Sequence, residues 1–395
     1  MAFDVKFHSQ FSAFDAAQWN ALSSIDSPFL RAEFLSALEE SECVGKKTGW
    51  LPHHVGVYED SRLIAAMPGY IKLDSYGEYV FDHAWANAYF QHGLNYYPKW
   101  ISAIPFTPVP GNRLLIQTGV DSAEVFESIN LALQSLATKN ISSTHVLFPH
   151  SPDLLATCSN FLLRKSVQFH WHNYHYQSFA DFLGALTSRK RKSIRKTRRQ
   201  LHAQGISISR YRGEEITQSH MAFFYQCYRQ TYLKRSGHDG YLTRSFFNQI
   251  YHSMREHILI VEATLAGNPI ASSLFFFDSS GLYGRYWGCV KHIEELHFEC
   301  CYFQGIEFAI EQKLATFNPG TQGEHKILRG FEPTFCYSLH WLFHPEFSRA
   351  VSQFLIREKG TVETYFEQAK MVLPYNESMK DHLICNTGNS RNGPK

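Results

Sequence analysis

From Gly184 to Gly213 the chain has no acidic residue, yet ten of its Lys and Arg fall there. Eight crowd into eleven positions: Arg189, Lys190, Arg191, Lys192, Arg195, Lys196, Arg198 and Arg199. The whole chain has 38 basic and 36 acidic residues, so outside this stretch 28 basic face 36 acidic, a balance of −8. The positive charge is placed rather than spread. That is the footprint of a polyanion: tRNA, a nucleotide-bearing donor or an anionic membrane surface. Other absences narrow the class. The eight cysteines include no Cys-x-x-Cys pair, which argues against a zinc ribbon or a thioredoxin-like centre. Reduced cytosolic thiols are the plain reading. No stretch approaches the roughly 20 apolar residues that span a bilayer. The opening Met1-Ala-Phe-Asp-Val-Lys-Phe-His8 lacks the basic-then-apolar order of a secretory signal. A cytoplasmic protein is expected, with peripheral membrane contact left open.

At 395 residues, two domains are expected. Strands and helices alternate. Residues 53–59 and 63–72 read as strands around a turn at Asp60-Ser61, and Glu78–Phe81 as a third strand. A helix over 122–137 lies between strands at 112–117 and 144–148. A strand at 167–172, a helix at 179–186, the basic helix 188–202 and a strand at 206–211 follow. Residues 257–263, 270–277 and 282–287 form a meander. Next come a helix over 298–314, a strand at 315–318, a polar glycine-rich segment at 319–330 and a helix over 345–372. The hairpins beginning at His54 and His257 correspond at an offset of about 205 residues, which suggests an internal duplication. The expected division is 1–165, 166–375 including the basic helix, and an unstructured tail at 376–395.

The densest polar constellation is Gly320-Thr-Gln-Gly-Glu-His-Lys-Ile-Leu-Arg-Gly-Phe-Glu-Pro333. Glu324, His325 and Lys326 offer a carboxylate, an imidazole and an ammonium, and Gln322 and Arg329 flank them. Such groups supply a general base and charge stabilisation for acyl transfer; the bland alternative is a solvated loop opening a helix, with Glu324 complementing its N-terminus. Arg285, Tyr286 and Trp287 end a strand between glycines, where an arginine among rings suits anchoring of substrate or donor. His297 and Glu299 start the next helix, where the helix dipole alone accounts for the glutamate. His170 and His172 share a strand face as zinc ligands do, but no Asp, Glu or Cys completes the set locally and no metal is expected. In the basic helix only Ile194 and Leu201, with Leu186 before it, are apolar, forming one narrow stripe. Arg189, Lys190, Arg191, Lys192, Arg195, Arg198 and Arg199 are the candidate anion binders. With no aromatic among them, phosphate contact rather than base stacking is their mode, unless the run is simply a solvated face.

These residues resemble the FemAB-like predicted N-acyltransferases of the GNAT superfamily, over most of residues 27–372. The resemblance runs through Gly77-Glu-Tyr-Val-Phe-Asp82, Tyr97-Pro-Lys99, Ile104-Pro-Phe-Thr-Pro-Val-Pro-Gly-Asn-Arg-Leu-Leu115, Phe169-His-Trp-His-Asn173, Ser188-Arg-Lys-Arg-Lys192, Tyr283-Gly-Arg-Tyr-Trp-Gly288, His297-Phe-Glu299 and Gln322-Gly-Glu-His-Lys326. It implies an α/β fold with mixed sheets: two tandem GNAT-like acyltransferase domains with an inter-domain basic helix. It also implies direct transfer of an acyl or aminoacyl group from an activated donor (aminoacyl-tRNA, acyl-CoA or an acyl carrier) to an amine. The donor is then a co-substrate rather than a resident cofactor. In Fem transferases an aminoacyl-tRNA serves a peptidoglycan-precursor amine. Their Phe-Lys-x-x-Phe-Gly segment is similar to His325–Phe331, although Glu332 follows Phe331 here. The CoA-binding pattern Gln/Arg-x-x-Gly-x-Gly/Ala is matched only by Arg285-Tyr-Trp-Gly288-Cys-Val290, without its last small residue. The rival readings are a non-catalytic GNAT-like anion-binding protein and a transferase using Cys300 or Cys301 as nucleophile.

Overall fold

The computed structural model describes residues 3–22, 27–150, 160–321, 323–381 and 383. The chain is mixed α/β and divides into two compact units: Met1–Val167 with Gly240–Arg255 and Phe335–Thr364, and Gln168–Asp239 with Glu256–Thr334 and Tyr365–Lys395.

In the first unit, strands Asp4–His8, His54–Glu59, Arg62–Met67 and Leu115–Ile116 form an antiparallel sheet in that order. The helix Ser122–Ser135 covers it, burying Val125, Phe126, Ile129 and Leu133 against Val55, Val57, Ile64 and Met67. A second run pairs Glu332–Leu342, Ser143–Leu147, Lys99–Ser102, Tyr70–Lys72 and Trp50–Pro52.

The second unit repeats the first pattern. Ile206–Arg212, Ile258–Leu265, Asn268–Phe277 and Gly281–Cys289 form an antiparallel meander. Even the irregularities correspond. The first hairpin shifts register between Val57 and Tyr58, the second between Ala263 and Thr264. A β-bulge is a specific backbone device, so its recurrence at this offset supports duplication beyond the matching apolar patterns.

After Gly281–Cys289 a helical segment returns the chain to Thr316–Asn318, which pairs parallel to the earlier strand at Gly281, Leu282 and Tyr283 alone. The shorter strand ends at Asn318, while its neighbour continues to Cys289. Gly284 follows the last paired residue, Tyr283, and an added Cβ there would lie 3.3 Å from the Phe317 ring.

Three expectations change. Glu78–Phe81 is not a strand: Gly77 and Tyr79 have φ of 78° and 61°, and Glu78 is turned inward onto Lys99 at 2.8 Å. The helix expected at 298–314 is three pieces, Leu296–Phe298, a π-helical Glu299–Phe303 and Gln304–Glu311. The polar segment holds a 3-10 helix, Glu324–Arg329, between Gly323 at φ 104° and Gly330 at φ 85°. Residues 377–381 are helical, and the rest of the tail expected to be unstructured, save 376 and 383, lies outside the described residues. Among the described residues no helix is long and apolar enough to cross a membrane.

Candidate active site

The second unit gathers a cationic and aromatic cluster after strands Gly281–Cys289 and Thr316–Asn318. Gly281–Cys289 carries Arg285 and Trp287, the following helix carries His297, Phe298 and Tyr302, and the 3-10 turn carries His325, Lys326 and Arg329. The His297 ring lies 5.5 Å from Trp287, 5.4 Å from Tyr302 and 6.5 Å from His325. The Arg329 guanidinium covers Phe298 at 3.3 Å, donates to the His325 carbonyl at 2.7 Å, and stands 3.8 Å from Glu295.

Lys326 is the unusual member. It is 2% exposed, donates to the Gly320 carbonyl, and has no carboxylate partner among the described residues. Burial, then the repelling Arg285 charge, pushes its pKa down to about 7. His297 is pushed down to about 4 by burial and then by His325, Arg235, Arg329 and Lys326. Glu324 is exposed and accepts a hydrogen bond from the Tyr365 hydroxyl at 2.7 Å.

The expected residues separate into three groups. His325, Lys326, Arg329, Trp287 and His297 are brought together, and Arg285 acts on Lys326 through its charge. Tyr286 meets Tyr228 edge-on at 5.3 Å, and the Arg285 guanidinium lies 5.4 Å from its ring. Gln322 lies outside the described residues.

The basic helix is Ser188–Ala203, held by Ile194 and Leu201. Arg198 is not a free cation. Its Nε lies 3.0 Å from both Glu299 oxygens, its Nη2 lies 2.7 Å from Glu299 and from Glu307, and its guanidinium stacks 4.2 Å over Phe179. Arg198 and Glu299 are therefore paired with each other. Arg189, Lys192, Arg195, Lys196 and Arg199 are exposed, while Lys190 and Arg191 are half-buried. Lys190 is close enough to Arg329 and Glu295 for both charges to act on it, so the N-terminal end of the helix adjoins the cluster.

Residue reasoning missed Tyr302, which reads as a helix core residue, and Arg235, whose charge reaches His297 and Tyr302. The thiols of Cys300 and Cys301 are held protonated by burial, which removes the nucleophile that the cysteine mechanism needs. His170 Nε2–H donates to Gln168 Oε1 at 3.1 Å, and its pKa is pushed down to about 3 by burial.

Gly288 has a packing reason. A Cβ there would lie 1.9 Å from the Cys227 carbonyl oxygen, and one turn on, Thr231 donates to the Trp287 carbonyl at 2.8 Å. Gly288→Ala is expected to cost about 1–3 kcal/mol by forcing helix Gln218–Ser236 away from the strand, read as a lowered denaturation midpoint. An unchanged midpoint would contradict this contact.

A family model described as FemAB-like, peptidoglycan biosynthesis/recognition, matches residues 10–377. The chain belongs to the FemAB-like family. No curated protein matches its sequence. Among solved structures it is similar to FemX, at 10% identity and TM-score 0.51, over 88% of this chain and 100% of that one. It is also similar to the C-terminal domain of a putative lysylphosphatidylglycerol synthetase from Agrobacterium fabrum, at 9% identity and TM-score 0.52, over 86% and 95%. At these identities the likeness is one of fold. The FemAB-like chain is an α/β protein with mixed sheets and, in general terms, an acyl- or aminoacyltransferase.

Proposed function

We propose that this FemAB-like protein transfers an aminoacyl group from an aminoacyl-tRNA to an amine by direct attack, with no acyl-enzyme. The observation that carries the reading is Lys326: a buried ammonium repelled by Arg285, next to a His297 that feels Arg235 and Arg329, with no carboxylate to answer it among the described residues. A site built this way is incomplete until negative charge enters or develops in it. The amine nitrogen attacks the ester carbonyl, the C–N bond forms, and the developing oxyanion is met by Lys326 and Arg329. Glu324 takes the amine proton, the C–O bond breaks, and the ribose oxygen leaves with a proton. The exposed side chains of the basic helix, whose N-terminal end adjoins the cluster, hold the donor's phosphates.

The same geometry speaks against acyl-CoA. Arg285–Val290 is not a glycine-rich turn: Arg285–Cys289 is strand, with Trp287 opposite Ser273. The turn before the next helix carries Glu294 and Glu295, and acidic side chains disfavour a pyrophosphate at a helix N-terminus. The family's peptidoglycan description makes a precursor peptide amine the first acceptor to test.

The test is to incubate the protein with tRNA charged with radiolabelled amino acids and a lysine-containing peptide. Label on the peptide is expected. RNA binding with all label left on tRNA would favour a non-catalytic RNA-binding protein, and transfer from acyl-CoA alone would overturn the donor. Replacing Lys192, Arg195, Lys196 and Arg199 together by Gln is expected to weaken tRNA binding. It should reduce the slope of log K against log salt by roughly 3, at about 0.7–0.9 per lost phosphate contact. A slope unchanged by the four substitutions would remove the helix from the donor site.

A further inference from the structure

The π turn between Trp287 and the 3-10 turn has a consequence for His325. A π turn inserts one residue into a helix and is common at functional sites. Here three contacts fix it. Arg198 holds Glu299 at its start, the Ser273 hydroxyl donates to the Cys300 carbonyl at 3.2 Å, and Gly305 abuts Phe317, where a Cβ would lie 2.6 Å from the ring. The turn places Tyr302, 4% exposed, with its hydroxyl 2.9 Å from His325 Nε2. Its ring packs on Phe298 at 5.9 Å and Phe331 at 5.3 Å.

A buried O–H left without an acceptor is costly, and His325 Nε2 is the hydrogen-bond partner of this hydroxyl among the described residues. Tyr302 therefore donates, Nε2 accepts, and the imidazole proton is on Nδ1. That edge of the ring lies over Gly323, where a Cβ would lie 2.5 Å from Nδ1. Only glycine permits this approach. Burial, then Arg329 and Lys326, pushes the His325 pKa down, so the ring stays neutral near pH 7.

We propose that Tyr302 is a positioning residue that locks His325 as the Nδ1–H tautomer, making His325 a neutral hydrogen-bond donor to the acyl carbonyl oxygen rather than the base. The donor role rests on the transfer reading above; the tautomer does not. The experiment has two arms. Ring-nitrogen NMR of the protein without donor should show His325 Nδ1 protonated and Nε2 unprotonated, and Tyr302→Phe should mix the two tautomers. In transfer from labelled aminoacyl-tRNA, Tyr302→Phe should lower kcat roughly 10–100-fold at little cost in KM, as misplacement of a reacting group does. His325→Asn, whose amide N–H occupies the place of Nδ1–H, should retain activity that His325→Ala loses. An Nε2-protonated wild type, or an Asn variant as inactive as the Ala variant, overturns the proposal. Absence of transfer by the wild type would sink the function and the donor role, while the NMR arm still decides the tautomer.

Discussion

Lys326→Met is expected to lower transfer by a factor on the order of 10²–10³, the usual loss when one preorganised donor is removed from a developing oxyanion. The same substitution is expected to leave the stability of the second unit unchanged or to raise it. An ammonium that is 2% exposed, with one carbonyl as its hydrogen-bond partner, is a desolvated charge without compensation. Methionine fills nearly the same volume without that charge. Activity and stability then move in opposite directions, as expected of a group kept for chemistry at the expense of the fold. Lys326→Arg is not a conservative control, because a planar fork does not fit where a point charge does. The pH dependence has a sign. With the pKa near 7 in the empty site, the charged form is lost as pH rises through 7, so kcat/KM should fall on the alkaline side. A Met variant with full activity, or one that unfolds at ordinary temperature, would remove Lys326 from the site.

The basic helix and the polar segment after Thr316–Asn318 are both legible in the residues, because each signal is local: a run of charge, and glycines around titratable groups. Residues that are neighbours only in space are not legible. Arg198 belongs by charge to the anion-binding face, but Glu299 and Glu307, more than a hundred residues on, take it away. Tyr302 reads as helix core, and only the π turn swings it onto His325. Tyr286 has the composition of a pocket residue, yet it packs against Tyr228 of helix Gln218–Ser236, beside a register shift that interrupts its strand's alternation. Helix Gln218–Ser236 escapes because half-buried Tyr225 and Tyr232 and exposed Leu233 widen and blur the stripe made by Met221, Phe224, Cys227 and Tyr228. Glu78–Phe81 fails as a strand for a chemical reason: a glutamate that must reach a buried lysine outweighs the β-propensity of its neighbours.

That lysine carries the second large effect. Lys99 is 1% exposed, lies 2.8 Å from Glu78, and also pairs with Asp82; Tyr96 donates to Asp82 at 2.6 Å. The motifs Gly77–Asp82 and Tyr97–Lys99 thus meet in one buried ionic network of the first unit. Lys99→Met would leave Glu78 and Asp82 facing each other without a cation. Breaking a buried pair in this way costs about 3–5 kcal/mol, which for a unit of this size lowers the melting temperature by on the order of 10 °C. The pH dependence distinguishes this cause from a packing defect. In the wild type, Lys99 is the main influence offsetting burial at Asp82, whose pKa lies below the usual carboxylate range. Its contribution is therefore present above that range and lost as pH falls toward the folded value. Burial already pushes Glu78 up to about 7 in spite of Lys99; without Lys99 it rises further and Asp82 rises as well, and the penalty for ionised burial is relieved as pH falls. The variant's deficit should be smaller at pH 5 than at pH 8. A deficit independent of pH would mean that Lys99 acts by filling space. Lys99→Met with Glu78→Gln should recover part of the loss, because an amide at position 78 removes one of the two stranded charges.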